Sequence, residues 1–215
     1  MTSITALKRA NAARWSKVAI LPGRRPELEA TARRILSHKD RYRHVEAGLV
    51  AQSRYVPWWF IGIVHIREAD GDFACQLSQG DALDRVSRHV PRGRGPFLEH
   101  SGETWDAFTR GCFDALIDCA PHAAFNDDWS PRGALTMFEE YNGPGYAERG
   151  IPSPYVWSGT DQYHSGKYVA DGVFSAGAVD TQPGCAALLK IMLDLDADVK
   201  FADAPTNATQ TPKAA

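Results

Sequence analysis

The chain has 215 residues, 44% of them hydrophobic and 23% charged, with a formal net charge of −2. That length suits one domain of ordinary size with a full core, and the near-neutral charge does not by itself favour nucleic acid as a partner. No apolar run approaches the roughly 20 residues that span a bilayer, and the start of the chain lacks the apolar centre of a signal peptide, so a monomer that accumulates in the cytoplasm without stable membrane insertion is expected.

The first 54 residues carry Lys8, Arg9, Arg14, Lys17, Arg24, Arg25, Arg33, Arg34, Arg41 and Arg43. They form either a solvated helix face or a basic surface suited to an anionic envelope. Residues 1–20 read as one amphipathic helix, broken by Leu21-Pro22-Gly23. Pro26-Glu27-Leu28 opens a helix with Leu28, Ala32 and Ile35 on one face, and residues 39–52 give another with Tyr42, Val45 and Leu49. Pro57 suits the first turn of a very apolar helix, Trp58 to Glu68. Residues 72–91 alternate (Phe73, Cys75, Leu77) around the turn Ser78-Gln79-Gly80-Asp81, which predicts a small β-hairpin or irregular β-lobe.

Ser101 is a candidate cap for a helix running to about Cys119, and Ser130-Pro131 for a helix over 131–141. Residues 142–172, rich in Gly, Tyr and Pro, read as a long structured loop. A last helix covers about 175–195, interrupted near Pro183. From about Asp196 the chain lacks core residues and is expected to be disordered. The four cysteines, Cys75, Cys112, Cys119 and Cys185, contain no CxxC pair. Cys112 and Cys119 share a predicted helix face but stand about two turns apart, too far to bridge, so free and mostly buried thiols are expected. The fold class is mainly α (α+β), a helical domain with a small β-hairpin lobe. Residues 1–54 are expected as an N-terminal helical extension packed on or preceding the main domain, 55–195, with 196–215 as the tail.

Glu68 ends a core helix at the breaker Ala69-Asp70-Gly71. A carboxyl half out of water has a raised pKa and serves as a general acid near neutral pH, and its place at the unfavourable end of the helix dipole argues for function over stability. Glycoside cleavage needs such a proton donor and often a second carboxylate to direct water or stabilise the cationic transition state. Asp81 is the candidate for that role, with Asp84 and Ser87 as further water ligands; the plain alternative for Asp81 is a turn residue. Tyr141-Asn142-Gly143 ends a helix as a C-cap with Tyr146 just beyond, a set that can also bind and stack on a sugar. Trp157, Ser158 and Tyr163, within a loop that also holds Tyr155, Lys167 and Tyr168, offer aromatic planes and short polar groups for a carbohydrate groove, or else a self-packed loop.

The runs WWFIGIVHIREADGDF, LSQGDAL, EEYNGPGY and GIPSPYVWSGTDQYHSGKYVADGVF resemble a bacterial and phage group of lysozyme-like peptidoglycan hydrolases, over about residues 55–192. The Tyr141-Asn142 pair is similar to a motif of goose-type lysozymes and lytic transglycosylases. The resemblance implies a lysozyme-like domain, Glu68 as the catalytic acid, peptidoglycan glycan strands as partner, no cofactor and an endolysin-like role at the cell wall. The group carries Asn-Gly-Asp-Pro-Leu at the turn, where this chain has Gln79-Gly80-Asp81-Ala82-Leu83, so Asp81 is kept in altered surroundings.

Three rival readings stand beside this one. His65 and Glu68, three apart on one helix, could both reach a zinc ion, with His89, His100, His122 or His164 as a third ligand. A Cys-His peptidase would use Cys75, which lacks a helix N-terminus to favour its thiolate. A non-catalytic carbohydrate-binding or phage structural protein would keep the aromatic loop without needing Glu68.

Overall fold

The computed structural model describes residues 3–143, 145–170 and 172–203, with residues 202 and 203 described by their backbone alone. About half of the chain is helical, with small two-stranded sheets. The mainly α class with a small hairpin is therefore the fold class of this protein. Among the described residues no helix is long and apolar enough to cross a membrane.

The centre is α4 (Trp58–Ala69), in which every residue from Trp58 to Ile66 is buried. A helix apolar all round must be enclosed on all sides, and α2 (Arg25–Ser37), α3 (Lys39–Ala51) and α9 (Cys185–Leu195) enclose it. Gly62 permits the close approach, since a Cβ there would come within 2.6 Å of Ile35 Cγ2. Phe60 stacks on Phe138 of α6 (Pro131–Asn142) with ring centroids 4.4 Å apart, and meets Trp129 edge to face. On the other side of α6 lies α1 (Ile4–Trp15), where the buried Asn11 donates to Thr136 and to Glu139.

The N-terminal helices pack on the rest of the chain. Leu28, Ala32, Ile35, Tyr42, Val45 and Leu49 join the same core as α4 and α9. The N-terminal cations do not form one open basic face: Lys8 pairs with Asp128, Arg33 with Glu29, Arg34 with Asp70, Arg41 with Asp106 and Arg43 with Asp198. The tail begins later than expected. Val199 is buried, and β4 (Ala202–Asp203) pairs antiparallel with β1 (Asp128–Trp129). The rest of the predicted disordered tail, residues 204–215, lies outside the described residues.

The hairpin lies elsewhere than the alternation of residues 72–91 suggested. That segment forms only a bridge between Cys75 and Ala82. Two backbone hydrogen bonds flank that bridge, Gln76 N to Asp81 O at 2.7 Å and Leu83 N to Ala74 O at 2.8 Å, and Gln76 Nε2 adds bonds to the carbonyls of Ala82 and Arg85. The regular hairpin is β2 (Lys167–Ala170) with β3 (Val173–Ser175), bulged between Tyr168 and Ala170. It emerges from the predicted long loop, which also folds into the short helices α7 (Gly145–Glu148) and α8 (Pro154–Trp157).

Two helix starts moved as well. Asp106, not Ser101, caps α5 (Ala107–Phe113), its carboxylate accepting from Thr109 N at 2.7 Å, and the chain then widens into a π turn over Asp114–Asp118. The last helix begins at Cys185, after Pro183-Gly184, because proline has no N–H to give a preceding turn. All four cysteines are free, and three of them are buried.

Candidate active site

Glu68 sits in the last turn of α4, which Asp70 closes in the left-handed conformation. Its carboxylate oxygen Oε1 accepts a 2.7 Å hydrogen bond from the Tyr155 hydroxyl. The residue keeps some surface open, but the carboxyl group itself is enclosed, and burial pushes its pKa up to about 7 against the opposing pull of Tyr155 and Arg67. Tyr141 and Cys185 are close enough to feel its charge. The Gly80 turn covers the backbone here: a Cβ on Gly80, whose φ is +72°, would lie 2.3 Å from the Glu68 carbonyl oxygen. Turn and helix end are thus pressed together, which a larger residue would prevent.

Because Tyr155 donates to the charged form of Glu68, its loss should raise the Glu68 pKa further. The Tyr155→Phe variant is expected to shift the alkaline limb of any Glu68-dependent activity to higher pH. An unmoved or lowered limb in a pH–rate profile would count against this wiring.

His65 is enclosed differently. Its Nε2 faces the Asp72 carbonyl at 3.0 Å and so must donate, and Nδ1 then accepts from the Tyr42 hydroxyl at 2.9 Å. Burial pushes its pKa down to about 4, so it is neutral at physiological pH. Both ring nitrogens are committed, leaving no lone pair for a metal. Among the described residues no group of three or more His, Cys, Asp or Glu side chains is placed to hold a metal ion.

Asp81 serves the turn. Its Oδ2 accepts from the backbone amides of Arg88 and His89, and Oδ1 meets His89 Nδ1 at 2.8 Å. The His89 and Arg88 amides hold its carboxyl below the usual range. Asp84 is exposed, and Ser87 is buried with its hydroxyl bonded to Pro91 O, so neither gathers at Glu68.

A cavity of about 570 Å³ lies beside the end of α4, lined by Arg67, Asn142, Tyr146, Lys167, Asp180 and Gln182 among others. Asn142 and Tyr146 are among its lining residues, and Glu68 is not. Tyr146 meets Tyr168 edge to face at 5.2 Å and accepts from the Tyr168 amide. Tyr141 lies deeper, donating to Leu77 O.

The expectation that Trp157, Ser158 and Tyr163 line a groove needs correction. Trp157 and Ser158 are completely buried, and Tyr163 is 5% exposed. A sugar cannot stack on a ring enclosed by the core. Ser158 and Tyr163 instead fix Asp180: Ser158 Oγ donates to its carbonyl, and its amide donates to the Tyr163 hydroxyl.

Asp180 in turn accepts from Arg67 Nη2 and Lys167 Nζ, each at 3.2 Å, while Arg67 stacks over Tyr155 at 4.5 Å. Arg67, Asp180 and Gln182 are site residues that the sequence did not mark. The adjacency of Arg67 to Glu68 was a signal in principle, but its partner stands 113 residues away. No family model, curated protein or solved structure matches this chain.

Proposed function

We propose that the protein is a glycosidase that cleaves β-1,4 bonds of peptidoglycan, with Glu68 as general acid. The observation that supports this reading is the enclosed Glu68 carboxyl, its pKa pushed up to about 7 by burial and its Oε1 accepting from Tyr155, in the same helix turn as Arg67 of the cavity wall. A carboxyl with that pKa is about half protonated at neutral pH and can give its proton to a leaving oxygen.

Protonated Glu68 transfers its proton to the glycosidic oxygen as the bond from that oxygen to the anomeric carbon breaks. The electron pair stays on the oxygen, and an oxocarbenium-like centre develops on the sugar. A nucleophilic hydroxyl then attacks the anomeric carbon and returns its proton to the Glu68 carboxylate. Asn142 would bind the sugar at the cavity wall, while the buried Tyr146 and Tyr141 would shape that wall from beneath. No cofactor enters these steps.

The attacking hydroxyl belongs either to water, as in a lysozyme, or to the substrate itself, as in a lytic transglycosylase. The engagement of both Asp81 oxygens within the 81–89 turn favours the second reading, which dispenses with a second carboxylate. Asp81→Asn is accordingly expected to keep kcat within about threefold, against the roughly 10²–10⁴-fold loss of a general acid or base. A loss as large as that of a Glu68 variant would restore Asp81 to the chemistry.

Mass analysis of digested peptidoglycan tests the whole reading. Products one water lighter than the hydrolysed disaccharide mark an intramolecular attack, whereas full-mass reducing ends mark hydrolysis. Absence of any cleaved glycan strand would overturn the proposed function.

A further inference from the structure

Asp81, which the chemistry of Glu68 does not use, holds a surface loop in place. Residues 85–95, RVSRHVPRGRG, contain four arginines, one histidine and no acidic residue, in a chain whose formal net charge is −2. Ser87 closes the base of this loop. Its amide donates to Arg94 O at 2.9 Å and its carbonyl accepts from Gly93 N at 3.1 Å. Its buried hydroxyl donates to Pro91 O at 2.8 Å and accepts from Arg94 N at 2.9 Å. From one side Asp81 Oδ2 accepts from Arg88 N at 2.7 Å and from His89 N at 2.9 Å. Arg94 is tied down by its ion pair with Asp114.

This frame is built on backbone groups, so it leaves the outward side chains free. Arg88 and Arg92 are exposed, and neither side chain has a partner among the described residues. Arg85 is exposed as well, 3.4 Å from the open carboxylate of Asp84. Val90, between Arg88 and Arg92 in the chain, is 78% exposed, more than any other large hydrophobic side chain among the described residues. A single exposed valine is ordinary, but this one is fixed on a stapled loop between two unpaired cations. The loop is already ordered, so a partner meets little further ordering cost there.

The residue types select among anionic partners. Single-stranded nucleic acid is held by aromatic planes on which bases stack, and residues 85–95 contain no Phe, Tyr or Trp. A charged lipid surface asks only for cations around an apolar apex. Long arginine stems let the guanidinium groups stay at the phosphates while a shorter aliphatic side chain reaches lower.

We propose that the 85–95 loop docks the protein peripherally on a bilayer of anionic phospholipid, with Arg88 and Arg92 at the headgroup phosphates and Val90 at the acyl boundary. The proposal is independent of the glycosidase reading, because it concerns where the protein sits and not what Glu68 does.

The test is co-sedimentation of the full-length protein with vesicles of phosphatidylglycerol and phosphatidylcholine in equal parts, and with vesicles of phosphatidylcholine alone. At low salt the anionic vesicles are expected to bind about 30-fold more tightly, at about fivefold for each of the two arginines. The preference should fade as added salt screens the charges. Arg88→Gln and Arg92→Gln should each weaken binding to the anionic vesicles about fivefold. Val90→Ser should weaken it by about fivefold as well, without altering its salt dependence. All three side chains are exposed, so the variants should keep the fold, which matched circular dichroism spectra would check.

Equal binding to the two kinds of vesicle would overturn the proposal, and so would parent-like binding by the double variant Arg88→Gln with Arg92→Gln. Unchanged binding by Val90→Ser would overturn it too, since the loop would then read negative charge alone and would take a nucleic acid as readily as a bilayer.

Discussion

Glu68→Gln is expected to lower kcat for peptidoglycan cleavage by about 10²–10⁴-fold, the usual contribution of a positioned general acid. The amide keeps the size of the side chain and can still accept from Tyr155, so the fold and substrate binding should survive. Wall-clearing assays with matched circular dichroism spectra would check this, and near-normal clearing by the variant would remove Glu68 from the chemistry. The unmodified protein should also lose activity as pH rises through about 7, where Glu68 gives up its proton.

The same substitution should affect stability with the opposite sign. The folded-state pKa of Glu68 is raised from an ordinary 4.5 to about 7. The protonated carboxyl is the form that burial tolerates, so the associated stability is fully present below about pH 4.5 and is lost as pH rises through 7. Above that pH the native state must hold a buried carboxylate, at a cost of up to about 3 kcal/mol. Glu68→Gln should therefore be the more stable protein at pH 8 and roughly equal to the parent at pH 4. Urea melts at the two pH values give the comparison. A core helix that ends on a destabilising acid is the pattern expected where a site is maintained at the expense of stability.

Asp180→Ala is expected to cost about 3–5 kcal/mol, because it leaves the buried Arg67 without its counter-charge. The Arg67–Asp180 pair ties the end of α4 to the segment just before α9, and Ser158 and Tyr163 lock the Asp180 backbone from the other side. The double variant Arg67→Met with Asp180→Leu should recover much of the loss, since no charge is then buried alone. If Asp180→Ala melts within 1 kcal/mol of the parent, on the scale of an exposed pair, the ion pair is not the tie described here.

The parts legible in the sequence are those set by local rules. The apolar run Trp58–Ile66 demanded a buried helix, and α4 is enclosed on all sides. Ser130-Pro131 marked the start of α6. The Glu68 environment was legible for the same reason: a carboxylate that closes an apolar helix must share its burial, and the pKa of about 7 follows from desolvation. Alternation at Phe73, Cys75 and Leu77 marked an irregular β-lobe closed by the Cys75–Ala82 bridge and not a regular hairpin, because a period of two reports facing, whereas an extended strand also needs a longer partner backbone. Here the backbone pairing stops after the bonds Gln76 N to Asp81 O and Leu83 N to Ala74 O. Trp157 misled for a related reason, since an aromatic in a Gly- and Tyr-rich segment has the same letter whether it lines a groove or fills the core. The N-terminal helices had no motif of their own, and only packing showed that Leu28, Ile35 and Tyr42 complete the core around α4.

By itself, then, the sequence determined the helices around α2, α3, α4 and α6, which helix is central and which carboxylate ends it, because periodicity, caps and hydrophobicity act over a few residues. The tertiary structure decided what surrounds that carboxylate. Tyr155 on Glu68 spans 87 positions and Arg67 on Asp180 spans 113. Contacts at that range are fixed by how the helices pack, which no short stretch of residues encodes. The same packing turned Asp81 into a turn anchor and committed both nitrogens of His65 to hydrogen bonds, and so left Glu68 as the carboxyl on which the proposed chemistry rests.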